Sequence, residues 1–184
     1  FPQITLVPGT NYKFYVRSVC SEDNMGDWSD PYYFNMASLG ETCADPMVIP
    51  TIPYSTTAST ADMIDSTDVR QAINCGVPGT VNYMAGNDVF YTFTAPTDGS
   101  VRIKLAPTSP NSAIFVYKTC ANVGVSCLAA VANTNSNVRI IQALPVLAGE
   151  SYIIVLSSSA ATQTYGYYLE IQYVSCDEPT GLNA

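Results

Sequence analysis

The apolar residues of this chain come in short runs rich in Val, Ile, Tyr, Phe and Thr, divided by Pro, Gly, Asn and Asp, and a helical period is almost missing. This texture leaves little room for anything but an all-β fold. Twelve Pro and eleven Gly are spread along the chain rather than gathered, as turn punctuation between many short strands requires. The pattern predicts strands over Tyr12–Cys20, Tyr32–Met36, Asp88–Thr94, Ser100–Ala106, Ala113–Lys118, Leu128–Ala132, Asn137–Leu144, Ser151–Ser157 and Gly166–Val174. Two alternations assign their own faces: Val101, Ile103 and Leu105 point inward against Arg102 and Lys104, and Leu169, Ile171 and Tyr173 oppose Glu170 and Gln172. The best helical stretch is Ala61–Asn74, where Met63, Ile64, Val69 and Ile73 alternate with Asp62, Asp65 and Asp68. A Thr- and Ser-rich loop crossing between strands explains it equally well.

Charge and residue inventory then remove whole classes of function. Fifteen acidic against seven basic residues give a net charge of −8, the wrong sign for holding phosphates, so nucleic acid is not an expected partner. The chain has no His, which removes Ser-His and Cys-His nucleophile pairs, imidazole metal sites and the commonest general base. Carboxylate pairs could in principle do acid-base work, but none stands in a recognisable strand-end arrangement, and the expectation is no enzyme. No apolar run approaches the roughly 20 residues of a membrane span. Six cysteines, Cys20, Cys43, Cys75, Cys120, Cys127 and Cys176, form no C-x-x-C pair and read as disulfide partners in an oxidising, extracellular setting.

Two stretches carry family resemblances. Leu6-Val7-Pro8-Gly9-Thr10-Asn11-Tyr12, followed by the alternating Lys13 to Val19, resembles the fibronectin type III fold, in which a corner tyrosine introduces strand F. Tyr12 is then expected to bury its ring at the sandwich edge and to bond its hydroxyl back to the turn backbone. Trp28 to Phe34 looks like the approach to strand G, and residues 175–184 look like strand A of a following module. The series Asp88 to Pro96, Gly99 to Leu105, Ile114 to Tyr117, Leu147 to Val155 and Tyr168 to Ile171 is similar to the bacterial pre-peptidase C-terminal (PPC) domain family. These resemblances imply a jelly-roll-like antiparallel β-sandwich over residues 38–174, the end of a fibronectin type III module over 1–37, and the start of another over 175–184. They also imply the tandem arrays of secreted surface adhesins that use the type nine secretion route.

Within that reading Cys43 would pair with Cys75, stapling the strand-poor entry segment, and Cys120 with Cys127, closing a small hairpin loop. Cys20 and Cys176 would find partners outside this window, a direct bond between them being the lesser alternative. The acidic residues Asp62, Asp65 and Asp68, with Asp88, offer oxygens suited to Ca²⁺, although no D-x-D-x-D-G loop is present. Positions where relatives often carry acids, before Ile114 and after Cys127, hold Asn111-Ser112-Ala113 and Leu128-Ala129-Ala130. No cofactor is therefore expected, with Ca²⁺ the one alternative. Tyr54, Tyr83, Tyr165 and Tyr167 could build a glycan platform, or be core edges and cross-strand pairs. Asp65-Ser66-Thr67 matches a short acceptor pattern for bacterial O-glycosylation at Ser66. The expected function is a non-catalytic spacer and adhesive module on or outside a bacterial cell, meeting extracellular polysaccharide or protein and neighbouring modules of its own chain. The competing expectation is an accessory domain that delivers a secreted protease or glycoside hydrolase to its substrate.

Overall fold

A computed structural model describes residues 5–7, 10–21, 23–36, 38–77, 79–161 and 163–174. The chain divides into two compact units, Phe1–Leu39 and Gly40–Ala184. Cys176 and the rest of the expected fibronectin-like start lie outside the described residues.

In the first unit β1 (Asn11–Phe14) pairs antiparallel with β4 (Tyr32–Asn35), and β2 (Val19–Ser21) with β3 (Asn24–Met25). The single strand expected over Tyr12–Cys20 is thus two. Its backbone leaves the first ladder at Tyr15 and joins a tight hairpin that turns before Asn24. Tyr12, Phe14 and Phe34 stack across the β1–β4 pair, with ring centroids 5.6 Å apart for Tyr12–Phe34 and 6.1 Å for Phe14–Phe34. Tyr32 and Tyr33 stay largely exposed.

The second unit is a β-sandwich. One sheet has five strands in the order β10 (Ala129–Asn133), β9 (Ser112–Tyr117), β12 (Ser151–Ser158), β7 (Val89–Thr94), β5 (Met47–Val48). The other has four: β11 (Arg139–Val146), β8 (Gly99–Pro107), β13 (Gly166–Tyr173), β6 (Tyr54–Ser59). From β6 onward successive strands alternate between the sheets except across the β9–β10 hairpin, which is the jelly-roll manner of winding. Every pairing in the sandwich is antiparallel except β5 with β7, which is parallel.

Period-2 patterning builds the core between the sheets. Val101, Ile103 and Leu105 of β8 and Leu169 and Ile171 of β13 meet Val89, Tyr91 and Phe93 of β7, Ile114 and Val116 of β9, and Tyr152, Ile154 and Leu156 of β12. The five-stranded sheet has a second buried face. Phe90, Phe115, Tyr117, Ile153 and Val155 alternate with the first set and pack under residues 60–88, with Tyr83 and Met84 fully buried against them.

This covering segment has almost no regular structure. Among its described residues the helical pieces are short 3-10 turns at Thr60–Asp62 and Ile73–Cys75, so the loop reading of 61–74 is the one found. A buried loop must satisfy its backbone polar groups without a ladder, and here side-chain amides and carboxylates take that part. Gln71 donates to the Val81 carbonyl and accepts from the Tyr83 N–H at 3.0 Å. Asn87 donates to the carbonyls of Thr60 and Met63. Asp88 accepts from the Thr67 N–H at 2.9 Å and the Ser66 hydroxyl at 3.3 Å. The segment runs so close to the end of β12 that a Cβ on Gly86 would lie 2.7 Å from the Ala160 carbonyl oxygen, a place only glycine fits.

Candidate functional site

The four sandwich cysteines are bonded, but in a different pattern from the one expected. Cys43 pairs with Cys120 at a Cα separation of 5.6 Å, and Cys75 with Cys127 at 5.1 Å. Neither the Cys43–Cys75 nor the Cys120–Cys127 bond exists. The reason is topological: the β9–β10 connection, which carries Cys120 and Cys127, lies beside both the entry to β5, which carries Cys43, and the covering segment, which carries Cys75. Each cysteine therefore faces one from another segment rather than its neighbour in sequence. Asn74 reinforces the junction by exchanging hydrogen bonds with the Cys127 backbone, donating at 3.2 Å and accepting at 3.3 Å. Cys20 in β2 is exposed and bonded to none of the described cysteines.

The acidic residues do not converge. Asp62, Asp65 and Asp68 are exposed while Asp88 is buried, and among the described residues no group of three or more acidic or cysteine side chains is arranged to hold a metal ion. Burial pushes the Asp88 carboxyl up to about 7, against the hydrogen bonds from Thr67 and Ser66 that favour its charged form. Its Oδ1 has no hydrogen-bond partner by geometry. Asp65 is also raised, by its partial burial and then by the charge of Asp68. Ser66, the expected modification site, is half-buried with its hydroxyl on Asp88.

The proposed tyrosine platform is taken into the interior. Tyr83, Tyr165 and Tyr167 are buried, and Tyr54 is half-buried against Tyr91 with centroids 6.5 Å apart. The Tyr91 and Tyr167 hydroxyls bond each other at 2.8 Å, and burial raises both phenols, Tyr91 to about 12. Tyr165 and Tyr167 pack between the sheets, and Tyr83 packs under the covering segment, so none of these three offers a face to a ligand. Arg139 is the other polar surprise: it is 1% exposed, and its guanidinium donates to the carbonyls of Ser112, Asn133, Asn135 and Asn137. Desolvation lowers its pKa, and no acid neutralises it among the described residues. It fixes the β10–β11 turn from inside.

Two open surfaces carry polar or aromatic side chains suited to a ligand. A groove of about 610 Å³ is lined by Lys118, Leu128, Leu144, Pro145, Leu147, Glu150 and Tyr152. Its one ring is covered twice over: Lys118 sits 4.5 Å from the Tyr152 centroid and pairs with Glu150, and the same ring stacks on Phe93 at 5.2 Å. The second surface is the outer face of the four-stranded sheet. Register places Gln172 beside Arg102, Glu170 between Lys104 and Ser55, and Tyr168 between Ala106 and Thr57. All of these are at least partly exposed. The Tyr168 hydroxyl donates to Glu170 at 3.1 Å, and the Lys104 ammonium lies 5.8 Å from the Tyr168 ring centroid. Sequence alternation exposes Arg102, Lys104, Glu170 and Gln172, but the adjacency of β8 and β13 that gathers them around Tyr168 is visible only in the fold.

The comparisons agree with this architecture. Residues 39–168 match the family described as galactose binding domain-like and associated with the type nine secretion system (T9SS). The chain belongs to that family. The match spans the sandwich from just before its first disulfide almost to the middle of β13, and a β-sandwich is the fold it carries. No curated protein matches the chain. A galactose-binding-like module held by two disulfides is suited to an oxidising compartment. Among the described residues no helix is long and apolar enough to cross a membrane.

Proposed function

We propose that this galactose-binding-like module is a non-catalytic binding and spacer unit of a large exported bacterial protein, attaching it to an extracellular polysaccharide or protein surface. The observation that carries this reading is the asymmetry of the sandwich. One sheet is buried on both faces and cross-linked through Cys43–Cys120 and Cys75–Cys127, whereas the other presents a broad polar face around Tyr168. Rigidity on one side and an open, chemically varied face on the other suit a module that holds a surface under load. The T9SS association of the family supports export to the cell surface.

The same reading divides the chain into a C-terminal fibronectin type III piece over 1–37, a PPC-like sandwich over 38–174 and the start of a further fibronectin module over 175–184. Support for the first piece comes from the antiparallel β1–β4 pair and from Tyr12, whose hydroxyl accepts from the Val7 N–H at 2.6 Å. That is the corner geometry expected where strand F begins. The exposed Phe14, Tyr32 and Trp28 are the apolar side chains that the remaining strands of such a module would cover.

The test is depletion of the chain from solution by insoluble polysaccharides and by collagen-like and cell-wall proteins, with reducing sugar and new amino termini assayed in parallel. Binding with no product released is the expected result. Release of product would overturn the non-catalytic reading, and failure to bind any of the surfaces would overturn the binding one.

A further inference from the structure

We infer that the outer face of the four-stranded sheet recognises a polysaccharide carrying carboxylate groups, with Arg102 and Lys104 taking the anions and the Tyr168 ring taking the flat apolar side of a sugar. The inference rests on the binding-module reading and gives it a ligand class and a place.

Charge is the first argument. The whole chain is strongly acidic, with a net charge of −8, yet this face sets two cations against the single carboxylate of Glu170. The other cations of the same unit are committed or lie elsewhere. Lys118 is paired with Glu150, Arg139 is buried on backbone carbonyls, and Arg70 belongs to the segment covering the other sheet. Arg102 has neither hydrogen bond nor ion pair among the described residues. Its planar fork is thus free to take a carboxylate through two N–H donors. An acidic protein repels anionic polymers unless a local patch reverses the sign, and this is the one open face of the unit where two cations sit together.

Geometry is the second. Arg102 and Lys104 are two apart on β8, so both project from the same side roughly 7 Å apart along the strand. Tyr168 lies on the neighbouring strand one register step beyond Lys104, its hydroxyl fixed by Glu170 and the Lys104 ammonium 5.8 Å from its ring centroid, and among the described residues the ring stacks on no other ring. A charged row beside an aromatic ring repeats the alternation of acid group and ring face along an acidic glycan. Glu170, Gln172 and the hydroxyls of Ser55 and Thr57 supply donors and acceptors for sugar hydroxyls on the same face. All these side chains stand on paired strands rather than loops, so little ordering is needed on binding.

Affinity electrophoresis of the 184-residue chain in gels containing polygalacturonate, with dextran as the neutral control, tests this. Retardation by polygalacturonate and not by dextran is expected, declining steeply as salt is raised. Arg102→Gln with Lys104→Gln should weaken it at least tenfold. Tyr168→Ala, which alters no charge, should weaken it severalfold, and Lys118→Gln, outside the face, should leave it unchanged. Circular dichroism of each variant confirms that the sheet positions still fold. Retardation that survives either Tyr168→Ala or the double substitution overturns the assignment to this face. Equal retardation by dextran overturns the anionic preference while leaving the binding-module reading intact. No retardation by polygalacturonate overturns the proposal, and the depletion experiment then decides the fate of the broader reading separately.

Discussion

Strands β8 and β9 are consecutive in the chain, yet they live in different solvents. Along β8 every second residue is buried, and Ser100, Arg102, Lys104 and Ala106 reach the surface. Along β9 all six residues from Ser112 to Tyr117 are buried. A strand covered on one side needs polar residues at alternate positions, and a strand covered on both cannot tolerate them. The difference comes from a third layer that belongs to no sheet, the segment 60–88, which closes the far side of β9 and is pinned to the β9–β10 connection by the Cys75–Cys127 disulfide. A long stretch with little secondary structure is ordinarily a poor cover. Here one cross-link and a set of side-chain hydrogen bonds replace the missing ladder.

The largest expected effect compares truncations on the two outer faces. Phe115 of β9 points into the third layer, with its ring 6.2 Å from that of Tyr117. Phe115→Ala should cost about 3–5 kcal/mol, the usual range for emptying a packed aromatic site. Tyr168→Ala, on the open face of the other sheet, should cost about 1 kcal/mol or less. Urea unfolding of both variants checks this, and equal costs would mean that the third layer is not packed as described. Next in size is the cross-link between layer and hairpin. Replacing Cys75 and Cys127 together by Ala frees a 52-residue loop, for which loop-closure entropy predicts a loss of about 4 kcal/mol. Limited proteolysis should then cut first within 64–82, while β8 and β13 stay protected. Cleavage starting in the four-stranded sheet would contradict the proposed order of stability.

How much of this could be read in advance follows from the same contrast. Strands that alternate or carry a dense apolar run, β7 through β13, are legible to within a residue or two, because their patterning answers to burial alone. β6, the Tyr-Ser-Thr-Thr-Ala-Ser stretch from Tyr54 to Ser59, is not. Its inward residues are Tyr54, Thr56 and Ala58, too small and too polar to signal a core strand, and only pairing with β13 explains it. The disulfide pattern was beyond reach for a related reason. Sequence shows which cysteines border which loops, but the meeting of Cys43 with Cys120 is decided by sheet order across 77 residues. Of the two readings open for the tyrosines, Tyr165 and Tyr167 take the core one: both are buried, and their hydroxyls find partners in the Ser157 carbonyl and Tyr91. The open face was half legible, as two alternating strands whose adjacency was unknown.

The smallest of the predicted effects concerns the one carboxyl buried inside the third layer. The covering segment shuts Asp88 away from water, and its folded-state pKa of about 7 lies well above the ordinary aspartate value of about 3.9. The folded protein therefore holds this proton where the unfolded chain has already released it. Between about pH 4 and pH 7 the unfolded state binds fewer protons, so stability falls as pH rises through that window and levels off above it. Asp88 alone should make the protein about 2 kcal/mol more stable at pH 5.5 than at pH 7.5. Asp88→Asn keeps an oxygen for the Thr67 N–H but carries no titrating proton, so this part of the pH dependence should vanish while the rest, from exposed acids, remains. Urea midpoints for both proteins at the two pH values isolate the difference. An unchanged pH profile in Asp88→Asn would mean that water reaches the carboxyl and that the third layer is looser than the sheet it covers. The expected loss of slope would show that a loop held by hydrogen bonds and one disulfide excludes solvent as a sheet does.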